Sequence, residues 1–492
     1  MNSIYTKRSL AVTQILNEVE AVKILLVPLD FAKETHVVRI CDATGAYLHK
    51  KPFDVSNDNA GLEYLCQRIN SACIHRGVQK KHVLIASESP HSYCLHFMHD
   101  LQSKGYLVLR VNAAEAKKFR KNSIASSDAI DLDGIANAVL NRRARPLDEE
   151  RELYSSLKRS SRYYKRYKKD LSRQKNRIGK LIDELFPGFL NRQKSGVDPY
   201  SNFCIDLMSK DFSIYKIRHM KQATLVAKMR KYHLHHPVQK AAKLQAHAAA
   251  SVVPSKLIVD SLSQSLEHAI RLYKALDGVC DSEWEQMAHC LVQTPYSSML
   301  SLPGVGVVRA ATCAAEFGHV DTWNSLNQMC SYAGIAPRTM QSGGPDKPAI
   351  ILGLSKKCNR RLKDALLQAA HQTAMTPHTA GALLPQLKEH KLMKHYKAVN
   401  ARNGKSGLST ARMIIRKMRG MVRGETIYLP AKELSVYELK IYVMSTFEKM
   451  YNTLKGLDLT SIKPEDNCIT QMEEEWKHLL ESLEQKDSDI NL

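Results

Sequence analysis

The 492-residue chain has eleven cysteines but no CxxC pair and no regular cysteine spacing. An odd number of scattered thiols argues against a disulfide framework and fits a reducing compartment, with the thiols mostly buried. The N-terminal residues lack the ordered basic, apolar and small-residue regions of a secretory signal, and no run of about eighteen uncharged apolar residues is present to span a bilayer. Both absences point to a cytoplasmic protein with no membrane partner. Acidic residues are also scarce: 49 Asp and Glu face 72 Lys and Arg, leaving a net charge of +23. An excess of that size points to a polyanionic partner rather than to a small acidic substrate.

With 44% hydrophobic residues, a chain of this length can bury more than one core, and two to four domains are expected. From Lys23, KILLVPLD reads as a buried strand, and THVVRICDATGAYLHKKPFDV as two alternating strands around the Ala43-Thr44-Gly45 turn. A helix over Asn59 to Arg76, the strand HVLIASE, a helix near Ser92 to Lys104 and the strand YLVLRV follow. The order βββαβαβ is that of an α/β RNase H-like domain, although other α/β folds share it.

After Pro146 the composition shifts. Between Arg151 and Lys194, fourteen Lys and Arg face four Asp and Glu. Leu153, Leu157, Tyr164, Tyr167, Leu171, Ile178 and Leu185 fall at helical spacings and predict one long helix with an apolar seam. A second, near Ser255 to Leu276 with the seam Leu262, Leu266, Ile270 and Tyr273, suits an antiparallel coiled coil with the first. Ser195 to Pro254 between them is poorly patterned and reads as an insertion. From Pro295 to Tyr428 the chain reads as mostly helical, with glycine-rich turns at PGVG, QSGGPDKP and ARNGKSG. The tail from Glu465, nine Asp and Glu against two Lys, reads as a helix that either packs against a basic surface of the same chain or, the favoured reading, is solvated.

Four acidic residues stand at structurally meaningful points. Asp30 ends the first strand, Glu88 ends HVLIASE, and the three-residue spacing of Asp128 and Asp131 in SSDAIDLDGIANAV puts both on one helix face. Converging carboxylates are what two-metal phosphoryl transfer needs, because hard oxygen ligands hold Mg²⁺ (or Mn²⁺). Taken singly, Asp30 could begin a turn, Asp128 could cap a helix, and Asp131 and Asp133 could be solvated. Glu88 fits that bland reading poorly, because a carboxylate following VLIAS needs a cation or hydrogen bonds. Asp133 is a substitute candidate on the same helix. The clusters HLHH at His233 to His236 and Cys94/His96/His99 lack a second metal-binding half and read as structural.

These residues carry a resemblance. LVPLDFAKETHVV, IASESPHSY and SSDAIDLDGIANAV resemble the DEDD-type insertion-sequence transposases, whose N-terminal domain is similar to the Holliday-junction resolvase RuvC. SLPGVGVVRAATCAAEFG, SYAGIAPRTMQSGG and LSKKCNRRLKDALLQAA resemble the C-terminal domain of that family, which includes the Piv-type invertases and bridge-RNA-guided recombinases. The Ser-Pro-His-Ser-Tyr after Glu88 departs from the family's usual Thr-Gly pair before the tyrosine. The resemblance implies that Ser342 is a nucleophile transiently esterified to a DNA phosphate, that Asp30, Glu88, Asp128 and Asp131 hold Mg²⁺ or Mn²⁺, and that a bridge RNA guides a homo-oligomer, dimer or tetramer, to donor and target DNA. By itself Ser342 is an ordinary turn residue.

The expected organisation is a RuvC-like catalytic domain over 20–146, a helical nucleic-acid-binding and oligomerisation region over 147–292 with 195–254 inserted, a helical C-terminal domain with the serine over 293–430, and a helical acidic tail over 431–492. Arg162, Lys165, Arg166, Lys168, Lys169 and Arg173, with Lys356, Lys357, Arg360 and Arg361, are the expected nucleic-acid contacts. SLPGVGVVRAA reads either as a helix-hairpin-helix turn that offers N–H groups to a phosphate or as a plain interhelical turn. The expected location is the prokaryotic cytoplasm, at the nucleoid. A metal-dependent junction nuclease without a serine intermediate and a catalytically defunct scaffold are the alternatives.

Overall fold

The computed structural model describes residues 10–88, 94–120, 127–147, 152–210, 212–340, 350–430 and 433–490. The chain forms two compact units, Met1–Arg151 with Asp321–Gln328, and Glu152–Val320 with Met329–Leu492. The named strands are β1 (Leu25–Asp30), β2 (Thr35–Val38), β3 (Cys41–Asp42), β4 (Phe53–Ser56), β5 (Val83–Glu88), β6 (Leu107–Val111), β7 (Arg145–Pro146), β8 (Pro337–Met340) and β9 (Ile350–Leu354).

In the first unit, α1 (Leu10–Glu18), α2 (Asn59–Arg76), α3 (Leu95–Ser103), α4 (Ala113–Lys118) and α5 (Asp128–Leu140) surround one mixed sheet. Its order is β4-β2-β1-β5-β6-β7, with β3 on β1. β1 runs antiparallel to β2 and parallel to β5, and β5 is parallel to β6. This is the mixed α/β sheet of an RNase H-like domain. Its central strands are apolar on both sides because both faces are covered. Leu25, Val27, Leu29, Val83 and Ile85 pack with Leu65 and Ile69 of α2 and Met98 and Leu101 of α3. The alternate residues Ile24, Leu26, Leu84 and Ala86 pack with Ile135, Ala138 and Val139 of α5. The expected hairpin is modified in one respect. Cys41 and Asp42 pair with Leu26 and Leu25 rather than extending toward β4, and the buried Asp42 carboxylate accepts from the Thr44 and Ala46 N–H groups to close the turn.

The helix α2 has the predicted bounds for readable reasons. Asp58 accepts from the Gly61 N–H at its start, and Gly77 ends it in the left-handed region at φ 59°. Gly134 sets the position of α5, since a Cβ there would lie 2.7 Å from the Ala116 carbonyl of α4. Only glycine lets the two helices approach that closely.

In the second unit the two long helices are α6 (Glu152–Leu185) and α12 (Lys256–Val292). They run antiparallel: Ser156 meets Gln286 and Cys290, and farther along the buried Gln174 amide donates to the Ala269 carbonyl at 2.9 Å. Leu157, Leu171, Ile178, Leu185, Leu266 and Ile270 are buried. The segment between them is not patternless. It forms α7 (Arg192–Ser195), α8 (Asn202–Met208), α9 (Ile214–His219), α10 (Gln222–Lys231) and α11 (Pro237–Ala250), whose Phe203, Met208, Ile217, Leu225 and Leu244 share one core with α6 and α12.

The rest of the unit contains α13 (Val307–Phe317), α14 (Leu326–Tyr332, which starts in the first unit), the β8–β9 pair, α15 (Arg360–Met375), α16 (Lys391–Ala401), α17 (Ser406–Arg423), α18 (Val436–Thr453) and α19 (Cys468–Ile490). In the PGVG turn Gly304 has φ +73° and sits against the Gln372 backbone of α15, where a Cβ would lie 2.9 Å away. That glycine is explained by helix packing, and nothing lies within 4 Å of a Cβ at Gly306, the N-cap of α13. The acidic tail corrects the expectation of a solvated helix. Ile469, Met472, Trp476 and Leu480 of α19 are buried, Trp476 Nε1 donates to Thr426 Oγ1 at 3.3 Å, and Lys440 of α18 pairs with Glu484 at 2.7 Å.

Candidate active site

The parallel pairing of β1 and β5 in the register Leu29↔Ser87 sets Asp30 and Glu88 side by side where the two strands end. Both are half-buried. α5, which packs on β1, supplies Asp128 and Asp131 from its first turn. The cap of this helix is Ser127, whose side chain accepts from the Ile130 N–H at 3.4 Å. Asp128 is therefore not needed as a cap. It lies exposed at the first helical position.

These four side chains share one electrostatic environment. Burial, then the charges of Asp131 and Asp128, raise the Asp30 pKa, while Arg120 opposes the rise. Burial also raises Glu88, with Asp30 and Asp131 adding to the shift and Arg120 opposing it. Arg120 was not anticipated from the sequence. Its Nε lies 2.8 Å from Asp131 Oδ1, with both side chains mostly shielded from solvent. The signal was faint, one arginine in the basic run KKFRKN. Asp133 lies apart, pairing with Arg39 at 3.2 Å and accepting from the Tyr47 hydroxyl at 2.6 Å.

Among the described residues no group of three or more His, Cys, Asp or Glu is set at metal-holding distances. The donor set is nonetheless all carboxylate. Mutual repulsion between hard oxygen ligands is what an inserted divalent cation relieves, so the chemistry of these residues fits a hard divalent cation.

The second candidate residue, Ser342, lies outside the described residues. The basic candidates on α6 are partly engaged. Arg162 forms a two-pronged pair with the buried Glu316 at 3.1 and 3.2 Å, Lys165 meets Asp364 at 2.5 Å, Lys168 lies 4.0 Å from Asp277, and Arg173 pairs with Asp170 at 2.8 Å. Arg166 lies over the Tyr163 ring. Lys169, Lys356, Lys357, Arg360 and Arg361 are exposed.

A mixed sheet of this order, with acidic residues at the adjoining ends of its central strands, defines an RNase H-like domain of the DEDD type. Two family models match the chain: a DEDD-type IS110 transposase over residues 27–187, and the transposase family IS116/IS110/IS902 over residues 296–384. The chain therefore belongs to the IS110 family of DEDD transposases. The transposase for insertion sequence element IS1111A of Coxiella burnetii (strain RSA 493 / Nine Mile phase I) is 28% identical over 94 residues, 19% of this chain and 25% of that protein. The match thus spans a quarter of the curated relative. The first family match contains all four carboxylates, and the second contains Ser342. No helix among the described residues is long and apolar enough to cross a membrane.

Proposed function

We propose that the chain is the transposase of a mobile element and cuts and rejoins DNA strands through a transient phosphoserine linkage. The observation that carries the cutting half of the reading is the adjacency of Asp30 and Glu88 at paired strand ends, where burial and then the charges of Asp131 and Asp128 raise the Asp30 pKa; the serine half rests on the family resemblance. A divalent cation, when bound, supplies charge stabilisation for the attacking and leaving oxygens. Asp30, Glu88, Asp128 and Asp131 hold that position, and Arg120 orients Asp131.

Ser342 attacks in this reading. Its Oγ bonds to the phosphorus as the sugar oxygen leaves, so one phosphoester replaces another and no bond energy is lost to water. Attack by a hydroxyl of the exchanged strand then releases the serine. Arg360 and Arg361 begin α15, where the helix dipole disfavours cations unless an anion is present. A phosphate of the strand is the natural anion, and Lys356, Lys357 and Lys169 extend the same basic character.

A bridge RNA as guide, a homo-oligomer as the acting species and the nucleoid as the place of action belong to this reading through the family. Trapping on nicked DNA tests the serine. The wild type yields a covalent protein–DNA adduct and Ser342→Ala yields none; equal cleavage by both would instead support a metal-dependent nuclease without a serine intermediate. Sequencing of the co-purifying RNA tests guidance. A structured RNA complementary to donor and target supports it, and random cellular RNA opposes it.

A further inference from the structure

Far along the second unit, a cavity of about 260 Å³ is walled by His378, His390, Tyr428 and Tyr442. All four are more than nine-tenths buried. His378 precedes a short 3-10 turn (Thr379–Ala382), His390 caps α16, and Tyr442 belongs to α18. The His378 and Tyr442 rings stack at 4.4 Å and 15°, and His390 meets Tyr428 edge-on at 6.4 Å.

The walls are planar, neutral and incompletely satisfied. His378 Nδ1 accepts from the Ala380 N–H at 3.2 Å, which leaves the proton on Nε2, and that atom has no partner. Burial, with Lys449 and His390 nearby, lowers the His378 pKa to about 4, so the ring is uncharged at neutral pH. Tyr428 is held through its main chain, its N–H donating to Ser301 Oγ and its carbonyl accepting from the Tyr442 hydroxyl. Its own hydroxyl makes no hydrogen bond among the described residues. A buried imidazole N–H normally finds a partner, so the unpartnered His378 Nε2 on the cavity wall, with the Tyr428 ring beside it, points to an occupant that accepts a hydrogen bond.

The rim has the opposite character. Lys391 and Lys394, in the first turn of α16, border the cavity, and the bordering Glu389 is already paired with Lys397 at 2.5 Å. The helix N-terminus and two lysines therefore favour an anion beside an aromatic chamber.

We propose that this cavity is a nucleotide pocket. One heterocyclic base stacks against the tyrosine and imidazole rings, its carbonyl or ring-nitrogen acceptors meeting the His378 N–H and the Tyr428 O–H, and its phosphate lies against Lys391, Lys394 and the start of α16. Aromatic walls with a basic rim suit any base, since each presents a π-face. The nucleotide is either free or an unpaired one within a strand.

Photocrosslinking of the full chain separates these cases. One arm uses 5-iodouridine 5′-monophosphate, the other a single strand carrying one 5-iodouracil, both without divalent metal and in the Ser342→Ala background so that cleavage plays no part. The pocket predicts adducts on the peptides holding Tyr428 or Tyr442. Their yield should fall about tenfold in Lys391→Glu/Lys394→Glu and fall in Tyr428→Phe, which keeps the ring and the fold. Labelling by the strand alone identifies an unpaired nucleotide of a strand, and labelling by the mononucleotide identifies a free one. Adducts confined to other peptides in both arms, or a yield untouched by the lysine reversal, would overturn the pocket and leave the cleavage proposal standing.

Discussion

Replacing Arg162 by alanine should destabilise the second unit far more than the loss of an exposed arginine would. The partner carboxylate, Glu316, has a side chain only 2% exposed and receives two bonds from Arg162 and one at 2.7 Å from Asn359, the N-cap of α15. Burial pushes the Glu316 pKa up, but the hydrogen bonds from Arg162 and Asn359, with the Arg162 charge, outweigh it and hold the carboxyl below its ordinary value. Breaking a buried pair from one side costs about 3–5 kcal/mol. The Arg162 side chain is 41% exposed, so solvent screening brings the expectation to about 2–3 kcal/mol. Urea unfolding followed by tryptophan fluorescence measures this, because Trp284 and Trp476 both lie in the second unit. The double variant Arg162→Ala/Glu316→Gln should recover more than half of the loss, since no unpaired charge then stays buried. A depressed carboxylate stabilises above its unfolded pKa and loses that contribution as the pH falls through the folded one. The gap between wild type and Arg162→Ala should therefore shrink on acidification below about 4.5. A cost under about 0.5 kcal/mol at neutral pH, the value of an exposed pair, would refute the reasoning.

Two further outcomes follow from buried charge. Lys449 is half-buried, its Nζ donates to the Leu300 and Leu302 carbonyls at 2.5 Å, and burial of that end lowers its pKa to about 7. The unfolded chain then binds a proton that the folded one releases, so the second unit should gain stability between about pH 7 and 10, and Lys449→Met should abolish that rise and cost about 1 kcal/mol or more, chiefly at the Leu300 carbonyl because Leu302 keeps its bond from the Val305 N–H, as read by denaturant titration at several pH values. Asp30 behaves in the opposite sense. Its raised pKa means that the first unit loses stability as the pH rises through the folded value, so Asp30→Asn should slow hydrogen exchange of the β1 and β5 amides at neutral pH.

Much of the first unit was legible because its sheet is assembled from local signals. The Asp58 cap and Gly77 stop bound α2, and the apolar runs ending in Asp30 and Glu88 gave both strand ends. The two-residue β3 was not legible, since its pairing with β1 is set by the Asp42 turn rather than by alternation. In the second unit the apolar seams of α6 and α12 announced their pairing; of the helices between them α10 and α11 were missed although long enough to read, while α7 to α9 are too short for periodicity to register. Their signal lay in the caps, Asn191, Ser201 and Ser213, each accepting from the backbone two or three residues on. The tail was misread because composition outweighed the apolar stripe Ile469, Met472, Trp476, Leu480. In the candidate site the carboxylates could be read from strand ends and helix spacing, but Arg120 depends on a tertiary contact, and the walls of the nucleotide pocket come from four separate segments between His378 and Tyr442.

The most direct test of the carboxylate site is strand cleavage by the purified protein, with its co-purifying RNA retained, titrated with Mg²⁺ and with Mn²⁺. Cleavage should require the divalent ion and disappear in both Asp30→Asn and Glu88→Gln while DNA binding persists. Cleavage that survives chelation of the metal, or that is undiminished in either variant, would contradict the assignment of Asp30, Glu88, Asp128 and Asp131 as the centre that drives strand transfer.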